Sequence, residues 1–294
     1  MPAEQRADIR AFFDETTFTV TYLVRDPATG AAAIIDPVLD YDPKSGKVTT
    51  ASADRLLAAV EETGAKVEWI LETHAHADHL SADAYLKAKT GAKTGIGADI
   101  GKVQKVFGQL FGQIAPSDGR EFDALFADGD KIPLGQSHFE VLATPGHTPA
   151  CIAYRIGDAV FVGDTLFMPD YGTARTDFPG GDARTLYRSI KRLLSFPPET
   201  RLFMCHDYKA PGRDTYAWET SVAEERARNI HIHDGVSEDD YVAMRETRDA
   251  ALAAPVLLLP AVQVNIRAGQ LPQAEANGQR YLKIPLRIPP EANL

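Results

Sequence analysis

Four side chains able to bind a metal fall within six residues of the segment Thr73-His74-Ala75-His76-Ala77-Asp78-His79, separated only by alanines. Imidazoles and carboxylates are the common ligands of zinc and of non-haem iron. Small residues between them let several side chains converge from one turn. Three more residues of ligand type stand in matching contexts: His147 in Thr144-Pro145-Gly146-His147-Thr148, Asp164 in Gly163-Asp164-Thr165, and His206 in Cys205-His206-Asp207. Each follows an apolar, strand-like run: WILET, FEVLATPG, VFVG and LFMC. Parallel neighbouring strands bring their ends to one edge, where open sheets usually place their sites. Histidines scattered independently over a surface would not share that context, so a metal centre is expected.

The elements that must position these residues are readable from pattern. Thr17 to Arg25 is β-branched and aromatic, a strand, followed by a turn through Asp26 to Gly30 and a second strand from Ala31 to Asp36. Ala53 to Thr63 places Leu56, Leu57 and Val60 at helical spacing before Gly64, a good C-terminal cap. Lys66 to Glu72 reads as a strand running straight into Thr73-His74. Ser81 is expected to cap a short helix ending at Gly91. A second helix, Asp99 to Phe111, carries Val103, Phe107, Leu110 and Phe111 on one stripe that should face the core. His138 to Thr144 is a strand, and Cys151 to Ile156 with Ala159 to Val162 form a hairpin across Gly157-Asp158. Leu186, Ile190, Leu193 and Leu194 mark a helix, Arg201 to Cys205 a last buried strand, and Ala217 to Arg228 and Glu238 to Leu252 two further helices. Hairpin-linked strands without a strict βαβ rhythm favour mixed sheets covered by helices over a doubly wound parallel fold.

Composition bounds the function. The chain has 294 residues, 44% hydrophobic and 24% charged, so it can bury a sizeable core. One compact domain, residues 1–294, is expected, with 210–294 as a C-terminal elaboration. A net charge of −10 argues against nucleic-acid or anionic-membrane partners. An anionic substrate must therefore be captured by a few local cations. The polar stretch from Met1 to Glu15 has no apolar signal core, and the longest apolar run, Pro255 to Val262, is too short to span a bilayer. Two cysteines do not make a disulfide framework. A cytoplasmic enzyme is the expectation, with a homodimer as its possible assembly. No glycine-rich phosphate loop follows any strand.

The HxHxDH segment, the later glycine-histidine, the Gly-Asp after a strand and the final histidine resemble the metallo-β-lactamase superfamily, in the expected order from about Phe18 to Tyr208. The resemblance implies an α/β fold, an αββα sandwich of two mixed β-sheets flanked by helices, with the metal site at one edge. Arg175-Thr176-Asp177-Phe178, His206-Asp207-Tyr208, Glu224-Glu225-Arg226 and Asn265-Ile266-Arg267-Ala268-Gly269 resemble the persulfide dioxygenase branch in particular. That branch implies oxidation of glutathione persulfide by O2 and water to sulfite and glutathione. It implies one Fe(II) per chain held by His74, His147 and Asp164, with His76, Asp78, His79 and His206 orienting those ligands and binding water. Two histidines and a carboxylate leave open positions for a sulfur and for oxygen, and iron, unlike zinc, can pass electrons. The complete ligand set also permits two zinc ions, as in glyoxalase II, a di-metal hydrolase of glutathione thioesters. A β-lactamase proper fits poorly, since that branch lacks the HDY and NIRAG features. A non-catalytic sulfur-binding protein is a third reading, against which the intact ligand set speaks.

Tyr208 is the expected hydrogen-bonding group near the bound sulfur or oxygen. Glutathione carries two carboxylates, for which Lys209, Arg226 and Arg267 are candidate partners. Arg175 is a fourth, although with Asp177 it is better placed to form an internal pair that shapes the loop. Thr173-Ala174 replaces a Cys-Gly pair usual in the shorter members, and the chain has extra length between Gly97 and Asp130. Cys205 should be turned from the metal by strand alternation, Cys151 reads as a small core residue, and His231 and His233 read as solvated. His138 carries no signal.

Overall fold

The computed structural model describes residues 6–112 and 117–289. The rest of the chain, including part of the extra length expected between Gly97 and Asp130, lies outside the described residues. With strands numbered in chain order, one six-stranded sheet runs β1 (Asp8–Asp14), β2 (Thr19–Arg25), β3 (Ala31–Ile35), β6 (Lys66–Leu71), β8 (Lys93–Gly97), β9 (Ala124–Phe126). The second runs β10 (Lys131–Leu134), β11 (Ser137–Ala143), β12 (Ile152–Ile156), β13 (Ala159–Phe161), β14 (Arg201–Phe203), β15 (Glu219–Ser221). A small third sheet joins β5 (Lys47–Thr49), β4 (Val38–Asp42) and β7 (Leu80–Ser81). Both large sheets are mixed: β3, β6, β8 and β9 are parallel, as are β13 and β14, and the remaining pairs are antiparallel.

The sheets face each other across an apolar core. Val20, Tyr22, Val24, Ala33 and Ile35 of one meet Phe139, Val141, Tyr154, Phe161 and Phe203 of the other. Residues of opposite parity turn outward and are covered by helices. Leu23, Ile34 and Ile70 pack under α1 (Ala51–Thr63), α2 (Asp83–Thr90) and α7 (Leu258–Asn265) through Leu56, Leu86 and Val264. On the opposite side, Leu142, Ala153 and Leu202 pack under α4 (Ala183–Leu193) through Leu186, Ile190 and Leu193. Tyr241 of α6 (Glu238–Asp249) and Val222 of α5 (Val222–Arg228) extend that layer. A fourth cluster joins α3 (Ile100–Leu110) to α7 beneath Ala75 of the histidine-rich turn. This is the αββα sandwich that the resemblance implied.

Several elements differ from expectation for physical reasons. Ser81 pairs in β7, and its hydroxyl accepts the Asp83 N–H, so α2 begins two residues later. Leu110 is exposed, while Val103, Phe107 and Phe111 are buried. The expected helix from Ala217 begins only at Val222, because Glu219 to Ser221 add an edge strand to β14 and Ser221 caps the helix with its hydroxyl on the Glu224 N–H. The polar stretch near the N-terminus contains β1, whose outward polar residues mask the alternation of Ile9, Ala11 and Phe13. The last strand ends at Phe203 rather than Cys205. There the chain crosses to the facing sheet: Val20 N–H donates to the Cys205 carbonyl at 2.7 Å and Asp207 N–H to the Phe18 carbonyl at 3.1 Å. No helix among the described residues is long and apolar enough to cross a membrane.

Candidate metal centre and the cavity above it

The strands β11, β13 and β14 run in one direction, and their ends deliver His147, Asp164 and His206 to one edge of the sandwich. β6 of the facing sheet delivers the turn from His74 to His79 to the same edge, tied across by Ile152 N–H to the Thr73 carbonyl at 3.0 Å. Two of the loops depend on glycine. Gly146 has φ +139°, and a Cβ there would lie 2.4 Å from Leu186 Cα; Gly163 has φ +53°, with a Cβ 2.7 Å from that of Thr73. Without side chains, these residues let the loops carrying His147 and Asp164 close on α4 and on the histidine turn.

His74, His147 and Asp164 bring one ligand atom each within 4.8 Å of one another. Asp164 Oδ2 stands 3.8 Å from His74 Nε2 and 3.6 Å from His147 Nε2. Those separations exceed a hydrogen bond and match ligands around an ion with bonds of roughly 2.0–2.2 Å. On the other side of the carboxylate, Asp164 Oδ1 is 3.3 Å and Asp78 Oδ2 is 3.2 Å from His206 Nε2. His76, Asp78 and His79 form a further such group. His74 Nε2, His79 Nε2, His206 Nε2, Asp78 Oδ2 and Asp164 Oδ1 are buried without a hydrogen-bond partner. Burying polar atoms unpaired is costly, and five at this one edge of the sandwich fit a metal centre that satisfies them.

The outer nitrogens fix the rings. Thr73 Oγ1 donates to Asp36 Oδ2 at 2.9 Å, so at 3.1 Å it can only accept from His74 Nδ1–H. His147 Nδ1–H donates to the Arg175 carbonyl at 2.7 Å, His79 Nδ1–H to the Leu80 carbonyl at 3.0 Å, and His206 Nδ1–H to the Phe18 carbonyl at 3.3 Å. In each ring the Nε2 lone pair is left facing inward, the tautomer a metal needs. Burial and the neighbouring imidazoles push the His74 pKa well below its ordinary value, and burial brings His79 down to about 4, so both rings are neutral. His76 differs. Its Nε2 lies 3.0 Å from Asp36 Oδ1 and 3.2 Å from Glu72 Oε2, and these carboxylates, against the effect of burial, raise its pKa well above the usual range. Cys205 Sγ is 3.5 Å from Asp36 Oδ2 and shares a cluster with His76 and His206, so it faces the centre instead of turning away. Alternation fails for it because the strand has ended at Phe203.

Above the centre lies a cavity of about 560 Å³ into which Asp78, His147 and Asp164 open. Tyr208 lines it, its ring stacked on His206 at 5.6 Å between Phe18, Phe167 and Tyr171. Burial, with the carboxylates of Asp78 and Asp164, pushes its phenol pKa well up, so the hydroxyl keeps its proton. Phe178 stands edge-on to His147 at 5.1 Å. Arg175 lines the cavity with its guanidinium committed: Nε and Nη2 bond Asp177, and Nη1 bonds the Ala253 carbonyl. The other cationic candidates do not line it. Lys209 lies over the Tyr216 ring at 4.2 Å, Arg226 pairs with Asp234 on the exposed face of α5, and Arg267 sits in the turn after α7. Local spacing cannot tell which basic residue a tertiary turn carries away.

His231 is a correction in the other direction. It is buried, lines the cavity and accepts the Thr173 N–H at 3.0 Å, which Gly172 permits by offering no Cβ to the ring. His233 is exposed as expected. Arg245, Arg248 and Leu252 also reach the cavity from α6 and beyond; the sequence carries no spacing signal linking them to the ligand motif. Asn265 of the NIRAG segment is buried and structural, donating to the His76 and His79 carbonyls and accepting the Ser81 N–H.

Imidazoles and carboxylates gathered at one edge between two facing mixed sheets define a metal-binding class of sandwich protein. The chain belongs to the metallo-β-lactamase superfamily, whose profile matches residues 15–206. It is 56% identical over 290 residues to a probable metallo-hydrolase of Burkholderia pseudomallei, covering 95% of this chain and 98% of that one. It is 47% identical to Glyoxylase B2 of Dictyostelium discoideum, covering 96% and 97%. It is 29% identical to the human mitochondrial persulfide dioxygenase ETHE1, covering 90% and 91%. Among solved structures, ETHE1 from Myxococcus xanthus superposes with a TM-score of 0.71 at 35% identity, over 90% of this chain and 100% of that one.

Proposed function

We propose that the protein is an iron-dependent dioxygenase that oxidises glutathione persulfide with O2 and water to sulfite and glutathione. The observation that carries the reading is the cluster of His74, His147 and Asp164, two imidazoles and one carboxylate, of which His147 and Asp164 open to the cavity. The likeness to the human and Myxococcus xanthus proteins named ETHE1 supports it. A single ferrous ion held by these three residues would offer a binding position for the terminal sulfur and relay electrons from it to oxygen, the four electrons that reduce O2 coming from that sulfur as it becomes sulfite.

The chain's own groups define the rest. Thr73 and the Arg175 carbonyl hold His74 and His147 in orientation. Phe178, Phe167 and Tyr171 line the cavity with aromatic surface on which the thiol carrier can pack. Tyr208, protonated and in the cavity wall, donates a hydrogen bond to the reacting sulfur or its oxygen. Buried, unbridged cysteines suit the reducing cytoplasm in which ferrous iron persists.

The second reading is a glyoxalase II-type hydrolase holding two zinc ions. It is favoured by the unpartnered His79, His206 and Asp78 atoms beyond Asp164, and by the relatives named metallo-hydrolase and Glyoxylase B2. Oxygen uptake and sulfite release with glutathione persulfide, near one iron per chain, are expected. Cleavage of lactoylglutathione by a two-zinc protein without oxygen uptake would replace the first reading with the second.

A further inference from the structure

One wall of the cavity comes from the C-terminal third: His231, Arg245, Arg248, Leu252 and the run Pro255 to Leu257. Three arginines line the cavity, and two are already spent. Arg175 is paired with Asp177 and bonded to the Ala253 carbonyl. Arg245 is buried, with Nε and Nη2 on Asp249 and Nη1 on the Thr173 carbonyl at 3.0 Å. Arg248 lies almost one turn further along α6, is exposed, and has no ion pair or side-chain hydrogen bond among the described residues. Asp249, the acidic residue that follows it in the chain, is taken by Arg245 and by the Thr176 N–H and hydroxyl.

In a chain of net charge −10, an uncommitted guanidinium at the mouth of a metal cavity is a strong local attractor for an anion. Its fork suits a carboxylate, and the lining beside it is apolar: Leu252, Pro255, Val256 and Leu257. We propose that Arg248 binds a carboxylate of the substrate's thiol carrier and so restricts the cavity to carboxylate-bearing thiols. The carrier's identity rests on the persulfide reading; the demand for negative charge rests on Arg248 alone.

The test is calorimetric titration of the metal-loaded full chain with S-methylglutathione, which cannot react at sulfur, and with its dimethyl ester. Arg248→Ala should weaken S-methylglutathione by roughly 10-fold or more, the range of a charge-assisted hydrogen bond. Arg248→Lys should recover part of that loss, and the ester should bind the wild type and Arg248→Ala alike. Equal binding of S-methylglutathione by wild type and Arg248→Ala overturns the proposal, as does an equal loss for acid and ester or no binding by the wild type. Oxygen uptake with glutathione persulfide is measured on the same preparation. Binding that depends on Arg248, without uptake, removes the dioxygenase reading and leaves the arginine's role standing.

Discussion

Asp36 holds Thr73 twice, accepting its backbone N–H at 2.7 Å on Oδ1 and its hydroxyl at 2.9 Å on Oδ2. Asp36 sits at the end of β3 in a left-handed conformation, φ +51°, which turns the carboxylate under the histidine turn. Burial pushes its pKa up, but the charge of His76 and the bonds from His76 and Thr73 bring it below the ordinary value, so it stays an acceptor. Thr73→Val removes the hydroxyl while keeping shape. His74 then loses the acceptor that selects its tautomer, and metal affinity should fall roughly 10- to 100-fold. Competition against a chelator measures this, with circular dichroism to verify the fold; unchanged affinity would show that the backbone alone orients His74.

How much of this was legible follows from where each residue lies. The ligands stand in short segments immediately after apolar strands, so type, spacing and context all point the same way. The sheets were legible where apolar residues alternate, as in β2 and β11, and hidden where polar partners break the pattern, as in β1. Asp36 read as the last residue of a strand; its grip on Thr73 depends on a left-handed turn that nothing in its neighbours' types announces. His231 and Arg248 reach the cavity only because the C-terminal helices fold back over the sheet edge. Cys205 was misread because alternation was carried past the point where the chain changes sheets.

Gly146 should tolerate no side chain. Gly146→Ala would place a Cβ 2.4 Å from Leu186 Cα and 2.4 Å from its nitrogen, at φ +139°. Neither backbone atom can yield without moving α4, whose Leu186 lies in the core. A loss of roughly 3 kcal/mol or more is expected in denaturant unfolding, within the range for a strained, overpacked core position. Metal content should fall with it, since the displaced loop carries His147. Stability within about 0.5 kcal/mol of wild type would contradict this packing.

Two buried histidines should weaken the metal-free protein on acidification through the histidine range. Burial brings His79 and His231 each down to about 4, the latter also by the charges of Arg245 and Arg248. An unfolded histidine takes its proton near pH 6.5. From about pH 6.5 down to 4 these two groups therefore bind more protons in the unfolded state, and their contribution to stability falls with pH across that window and levels below it. Glu225, which burial pushes up to about 8, acts in the opposite sense. Their share of the Tm of the metal-free chain should decline between pH 7 and 4. His231→Gln should flatten the decline by a few degrees, at roughly 2–4 °C for each kcal/mol. Identical slopes for both proteins would show that His231 is not held neutral by its site.

Tyr208 separates packing from chemistry. Its ring stacks on His206 and contacts Phe18, Phe167 and Tyr171, so removing the ring would disturb the metal edge as well as the cavity. Tyr208→Phe keeps every one of those contacts and deletes only the hydroxyl, which burial and the nearby carboxylates of Asp78 and Asp164 hold in its protonated form. If that hydroxyl donates to the reacting sulfur or its oxygen, kcat should drop roughly 100-fold, as when a single preorganised donor is lost. Metal content and Tm should stay at wild-type values. A variant with full oxygen uptake would reduce Tyr208 to a packing residue beneath His206. Loss of metal along with activity would instead assign the hydroxyl to the support of the centre.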